Sequence, residues 1–147
     1  MSENAEVLRK SVVVRPEPGV AFEVFTDRLG EWWPLATHSV GGDRSGGVVL
    51  EPGVGGRLVE TLADGSPAVW GVVTAWDPPR RVAFTWHPGT TEAEATRVEV
   101  TFRPVEGGTE VELVHAGWAR RHDGDRARTA YDAGWGIVLG RFVEATD

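Results

Sequence analysis

The sequence predicts an α+β domain in which a curved antiparallel sheet wraps around a long C-terminal helix. Six strand-like segments follow one another between Val48 and His115, each bounded by a turn signal, and an apolar stripe of helical period follows from Ala127 to Phe142. The 147 residues, 41% of them apolar, suit one globular domain with a full core, expected over residues 6–147 after a disordered tail of residues 1–5.

The first strand is expected over residues 6–14, where Val12, Val13 and Val14 form an apolar run that Pro16 and Pro18 end. Val20, Phe22, Val24, Phe25 and Leu29 then fit a short amphipathic helix entered through proline, and Trp32, Trp33 and Pro34 close that section. A glycine-rich stretch from Leu35 to Gly56 reads as loop around one short strand, Val48–Glu51. Five more strands are expected at 56–62, 68–77, 81–87, 96–104 and 109–115. Their short connections, Asp64-Gly65, Asp77-Pro78-Pro79, Pro88-Gly89 and Gly107-Gly108, imply an antiparallel meander. Val98, Val100 and Phe102 oppose Glu99, Thr101 and Arg103, and Val111, Leu113 and His115 oppose Glu110 and Glu112, so one sheet face is wet and the other covered. The cover is a helix that Asp123 or Asp125 is placed to cap, running to Ala145, with Ala127, Tyr131, Trp135, Val138 and Phe142 along one side.

Composition removes several functions. Twenty-two acidic against 15 basic residues give a net charge of −7, which opposes nucleic-acid binding, and the absence of cysteine excludes disulfides, thiolate metal sites and cysteine nucleophiles. No stretch approaches a membrane span and the N-terminus lacks the apolar core of a signal peptide, so a cytoplasmic location and no membrane partner are expected. The Gly53–Leu58 segment lacks the third glycine of a dinucleotide fingerprint and leads into a strand. His38, His87, His115 and His122 show no metal spacing, and no cofactor is expected.

Two side chains and one residue type stand out. His115 shares strand parity with Val111 and Leu113, so its imidazole faces the covered side, either as a satisfied core group or toward a ligand. Glu60 shares parity with Leu58 and Leu62; a register slip by one would turn it to solvent. If it points inward its pKa should rise unless a cation pairs with it. Seven tryptophans in so small a domain are hard to pack without gaps and each needs an acceptor for its N–H, which suggests a pocket partly lined by indoles.

The motifs VFTDRLGEWWPLATHS (24–39), GGRL (55–58), VWGVVTAWDPPRRVAFTW (69–86), TEVELVHAGW (109–118) and YDAGWGIVLGRF (131–142) occur in an order that resembles the START-like SRPBCC superfamily. Within it the chain is similar to the branch of activator homologues of heat-shock protein 90 ATPase (AHSA-type), over roughly Val12 to Phe142. The resemblance implies a helix-grip fold with a cavity between sheet and C-terminal helix. Members of the superfamily bind lipids, sterols, polyketides or other hydrophobic molecules, some catalyse aromatic cyclisation or dehydration, and the namesake domain stimulates a chaperone. It further implies that the cavity is lined by Trp33 and His38 near the mouth, Trp70 and Trp86 on the sheet, His115 and Trp118 before the helix, and Tyr131 and Trp135 on it.

The expected function is binding of a small hydrophobic or aromatic molecule in that cavity, with Glu60 added to the lining from its parity. The alternatives are a cyclase or dehydratase that moves protons through Glu60, His115 and Tyr131, and a chaperone-activator-like interaction module. A homodimer and a chaperone partner stay open.

Overall fold

The computed structural model describes residues 7–147, so the tail expected over residues 1–5 lies outside the described residues. The chain runs β1 (Leu8–Val14), α1 (Pro18–Thr26), α2 (Leu29–Trp32), β2 (Val48–Leu50), β3 (Arg57–Thr61), β4 (Pro67–Asp77), β5 (Arg81–Trp86), β6 (Thr96–Val105), β7 (Gly108–Ala116) and α3 (Gly124–Ala145). All seven strands form one antiparallel sheet in the order β1-β7-β6-β5-β4-β3-β2. The meander expected from the turn signals is therefore the sheet itself, and β1 returns to pair with the last strand.

Local chemistry explains the element ends. Pro18 opens α1 at a position whose N–H would have no partner anyway. The one helix expected through Leu29 is two, because Thr26 turns its hydroxyl back onto the Phe22 carbonyl at 2.7 Å and the chain bends at Asp27 and Arg28 before α2. Trp33, preceding Pro34, takes an extended conformation and stops α2. The cap expected for α3 is not made: Asp123 stands at the N-cap position, but its carboxylate takes two hydrogen bonds from Arg121 instead of the helix N–H groups.

The sheet curls at β4. Its first half pairs with β3 and its second with β5, with irregular register between Val73 and Ala75. Gly71 sits at this bend, where an added Cβ would stand 1.7 Å from the Thr85 carbonyl oxygen, so only glycine permits the approach. The bend brings the indoles of Trp70 and Trp86 within 5.6 Å.

Across the concave face, α3 presents Ala127, Trp135, Val138, Leu139 and Phe142, all buried. At one end α1 and α2 complete the core, where Phe22 and Phe25 meet Phe102 edge-on and Phe25 meets Phe142 at 5.3 Å. Lys10 on β1 reaches Asp132 on α3 at 2.5 Å and ties helix to sheet edge. No helix among the described residues is long and apolar enough to cross a membrane.

Candidate functional site: an indole-walled cavity between sheet and helix

At the other end the helix and sheet stand apart. The space is a cavity of about 400 Å³ whose walls are Trp33, Trp70, Trp86, Trp135 and Val138 and whose rim carries Thr37, His38, Ser39, Val40, Pro88 and Gly89, with Tyr131 and Gly134 on the helix side. Trp33 meets the other three wall indoles, with ring centroids 5.2 Å from Trp70, 6.0 Å from Trp86 and 5.9 Å from Trp135. Such a volume falls in the range of small-molecule pockets.

Of the nine residues expected here, six line the cavity: Trp33, His38, Trp70, Trp86, Tyr131 and Trp135. Glu60, His115 and Trp118 do not, and this is a correction with a clear physical cause in each case.

Glu60 does point inward, which settles its register, but it lies fully buried behind the wall. One carboxylate oxygen accepts from the Val40 N–H at 2.9 Å and the Trp70 indole N–H at 3.1 Å, the other from the Gly41 N–H at 2.9 Å. Burial is the largest single effect on its pKa and pushes it up. The Gly41 N–H, the Ser45 hydroxyl, the Val40 N–H and the Trp70 indole together outweigh it, so the pKa is lowered without a cation, opposite to the expected rise. Glu60 thus clamps one wall, Trp70, to the rim loop. Gly41 allows this, since a Cβ there would come 2.9 Å from the carboxylate.

His115 is likewise a bracket. The Trp135 indole N–H donates to its Nδ1 at 3.0 Å, which puts the proton on Nε2, 2.6 Å from the Thr96 hydroxyl; that hydroxyl donates to the Trp86 carbonyl at 3.2 Å. Both ring nitrogens are occupied and burial lowers the pKa to about 3, so His115 is a neutral core group joining α3 to β5, β6 and β7. Trp118 covers it from outside, with ring centroids 4.0 Å apart and its N–H on the His115 carbonyl.

The remaining lining carries little charge. Tyr131 is partly buried, and its burial raises the phenol pKa. The Trp86 N–H, beside that phenol, opposes the rise, yet it does not reach hydrogen-bond geometry with any acceptor. His38 is held by its backbone: the Trp33 indole donates to its carbonyl at 2.7 Å and its own N–H bonds Pro34. Its Nδ1 lies 2.7 Å from the Thr37 hydroxyl, and its Nε2 edge faces Gly134 on α3. Among the described residues no group of three or more His, Asp or Glu side chains is arranged to hold a metal ion.

Thr37, Ser39, Val40, Pro88, Gly89, Gly134 and Val138 were not among the expected lining residues, Val138 being read only as part of the helical stripe. The Pro88-Gly89 turn was legible as a turn, and Gly134 as part of the YDAGWG motif, but neither carries a local signal of facing a cavity.

The cavity's position between a curled sheet and the last helix invites comparison with known proteins. Residues 17–147 match the family described as Activator of Hsp90 ATPase homolog 1-like protein. The chain belongs to this family. No curated protein matches it. Among solved structures, the AHSA1-like chain is similar to the anthrahydroquino-γ-pyrone synthase Txn09, solved in complex with SUM. The identity is 36% over 98% of this chain and 99% of that one, with a TM-score of 0.64. It is also similar to protein MLL2253 from Mesorhizobium loti (19% identity, 94% of each chain, TM-score 0.71) and to Aha1 from Colwellia psychrerythraea, whose solution structure is a dimer (17% identity, 95% of each chain, TM-score 0.66). The last two share the helix-grip fold and support no inference about ligands.

Proposed function

We propose that this AHSA1-like domain binds a small, planar aromatic molecule between the curled sheet and α3. The observation that carries this reading is the wall of four indoles, Trp33, Trp70, Trp86 and Trp135, around about 400 Å³ of space. Flat rings stack or meet edge-on with indoles at a gain of about 0.5–1.5 kcal/mol per pair beyond simple burial. Three of these four indoles already donate to protein acceptors, so they present ring faces and edges, and the Trp86 N–H is the one wall donor left without an acceptor.

A second reading, a ring-closing enzyme acting on a polyketide-derived aromatic, is favoured by the likeness over the whole chain to a γ-pyrone synthase at 36% identity. The same cavity serves both readings, and turnover separates them. The test is a titration of intrinsic tryptophan fluorescence with anthraquinone, a fatty acid and a sterol. Saturable quenching by anthraquinone alone is expected; a response to the fatty acid or sterol in its place contradicts the planar-aromatic reading.

A further inference from the structure

We propose that His38 is the proton acceptor of this cavity, taking the proton of a phenolic or enolic hydroxyl that a bound aromatic molecule presents at the rim. This rests on the ligand class proposed above and adds to it an acidic hydroxyl at the mouth end.

Elimination and geometry both lead to His38. Of the thirteen residues lining the cavity, only His38 and Tyr131 carry titratable side chains. Tyr131 is held in its protonated form by burial, which leaves it a donor. Imidazole is the side chain that exchanges a proton near neutral pH. The groups first expected to move protons, Glu60 and His115, have their polar atoms occupied behind the wall.

The way His38 is mounted fits the task. Its backbone is fixed at both ends, through the Trp33 indole on its carbonyl and its own N–H on the Pro34 carbonyl, so the ring is anchored to the wall that would hold the ligand. With Nδ1–H donating to the Thr37 hydroxyl, the tautomer this proposal requires, Nε2 is the unprotonated nitrogen that meets a ligand. On α3 the residue opposite is Gly134, where an added Cβ would sit 3.8 and 3.9 Å from the imidazole edge, so this helix position sets no side chain against the ring. Three further charged groups near the cavity are engaged: Glu60 on β3 by Val40 and Gly41 under the rim loop, Asp132 on α3 by Lys10, and Arg121, which acts on the Tyr131 phenol, by Asp123.

The chemistry is a proton transfer with no redox component. The ligand O–H bond breaks, its electron pair stays on oxygen as phenolate, and the proton moves to Nε2 to give an imidazolium paired with that phenolate. In a ring-closing addition the phenolate oxygen attacks a carbon–carbon multiple bond conjugated to a carbonyl of the same molecule, its π pair moves to the carbon next to that carbonyl, and the imidazolium returns the proton to that carbon.

The test uses 2-hydroxyanthraquinone, whose visible band moves to longer wavelength when the phenol ionises. An apolar cavity alone raises a phenol's pKa, whereas a proton acceptor beside it lowers it, so the sign of the shift decides. Bound to the native protein the dye is expected to be half-ionised about one pH unit below the free dye, a tenfold change in its ionisation constant. In His38→Gln, whose backbone bonds remain, the bound dye is expected to ionise at or above the pH of the free dye. Ionisation in His38→Gln that still matches the native protein, or a native shift upward, overturns the assignment of His38 while quenching still supports the binding reading. Absence of tryptophan quenching by the dye overturns both.

Discussion

Two side chains chosen from strand parity as chemistry turned out to be joinery, because parity reports which face a residue lies on and not what its polar atoms meet. His115 sits on the covered face as its alternation with Val111 and Leu113 indicates, yet its bonds to Trp135 and Thr96 come from elements 20 and 19 residues away. Its pKa near 3 has a thermodynamic consequence. Between pH 7 and pH 5 the unfolded chain protonates this histidine and the folded chain does not, so the unfolded state gains protons and stability falls as pH drops. That contribution amounts to about 2 kcal/mol over this interval. Denaturant titrations at both pH values are expected to show that much less pH dependence in His115→Gln than in the native protein. At Glu60 the matching prediction concerns hydrogen bonds. Glu60→Gln turns an NH₂ toward Val40, Gly41 or Trp70, leaves an N–H without an acceptor, and is expected to cost about 1–3 kcal/mol in urea unfolding. It is also expected to weaken anthraquinone binding, since the rim loop loses its clamp.

At the scale of elements, the sequence indicated the strands to within a residue or two, since Pro, Gly and Asp punctuate every connection from Thr61 to Gly108. The bend of β4 was less legible. The glycine at position 71 lies inside a clean apolar run, and its reason is a carbonyl of β5 that no local pattern reveals. Gly71→Ala forces β4 and β5 apart and is expected to lower the thermal midpoint strongly, by about 2–4 kcal/mol in stability, with loss of the Trp70–Trp86 contact visible as a change in near-UV circular dichroism. Helix α3 behaves in the opposite way. Gly134 lies in a helix interior, and a Cβ there meets only the His38 ring, at ordinary contact distance. Gly134→Leu is expected to keep or raise stability by up to about 1 kcal/mol through helix propensity.

For the molecule as a whole, a curved antiparallel sheet around a C-terminal helix was readable because its signals are local: turn residues, alternation and a helical stripe. The aromatic wall was readable as composition, seven tryptophans against one tyrosine, though not as geometry. Trp32, Trp33, Trp70, Trp118 and Trp135 each find an acceptor on a helix, loop or strand that no local pattern reveals, and those bonds fix how the indoles are oriented. The fold thus divides labour: one end of the helix is sealed by phenylalanines from α1, β6 and α3, and the other is held open by indoles bracketed from behind by Glu60 and His115.

The measurement that tests this division most directly is anthraquinone binding by Gly134→Leu, followed by tryptophan quenching alongside a thermal melt. A melting temperature equal to or above that of the native protein, together with loss of saturable quenching, is the predicted result. Undiminished quenching in a variant that melts normally would place the ligand outside the space between the indoles and α3 and contradict the account.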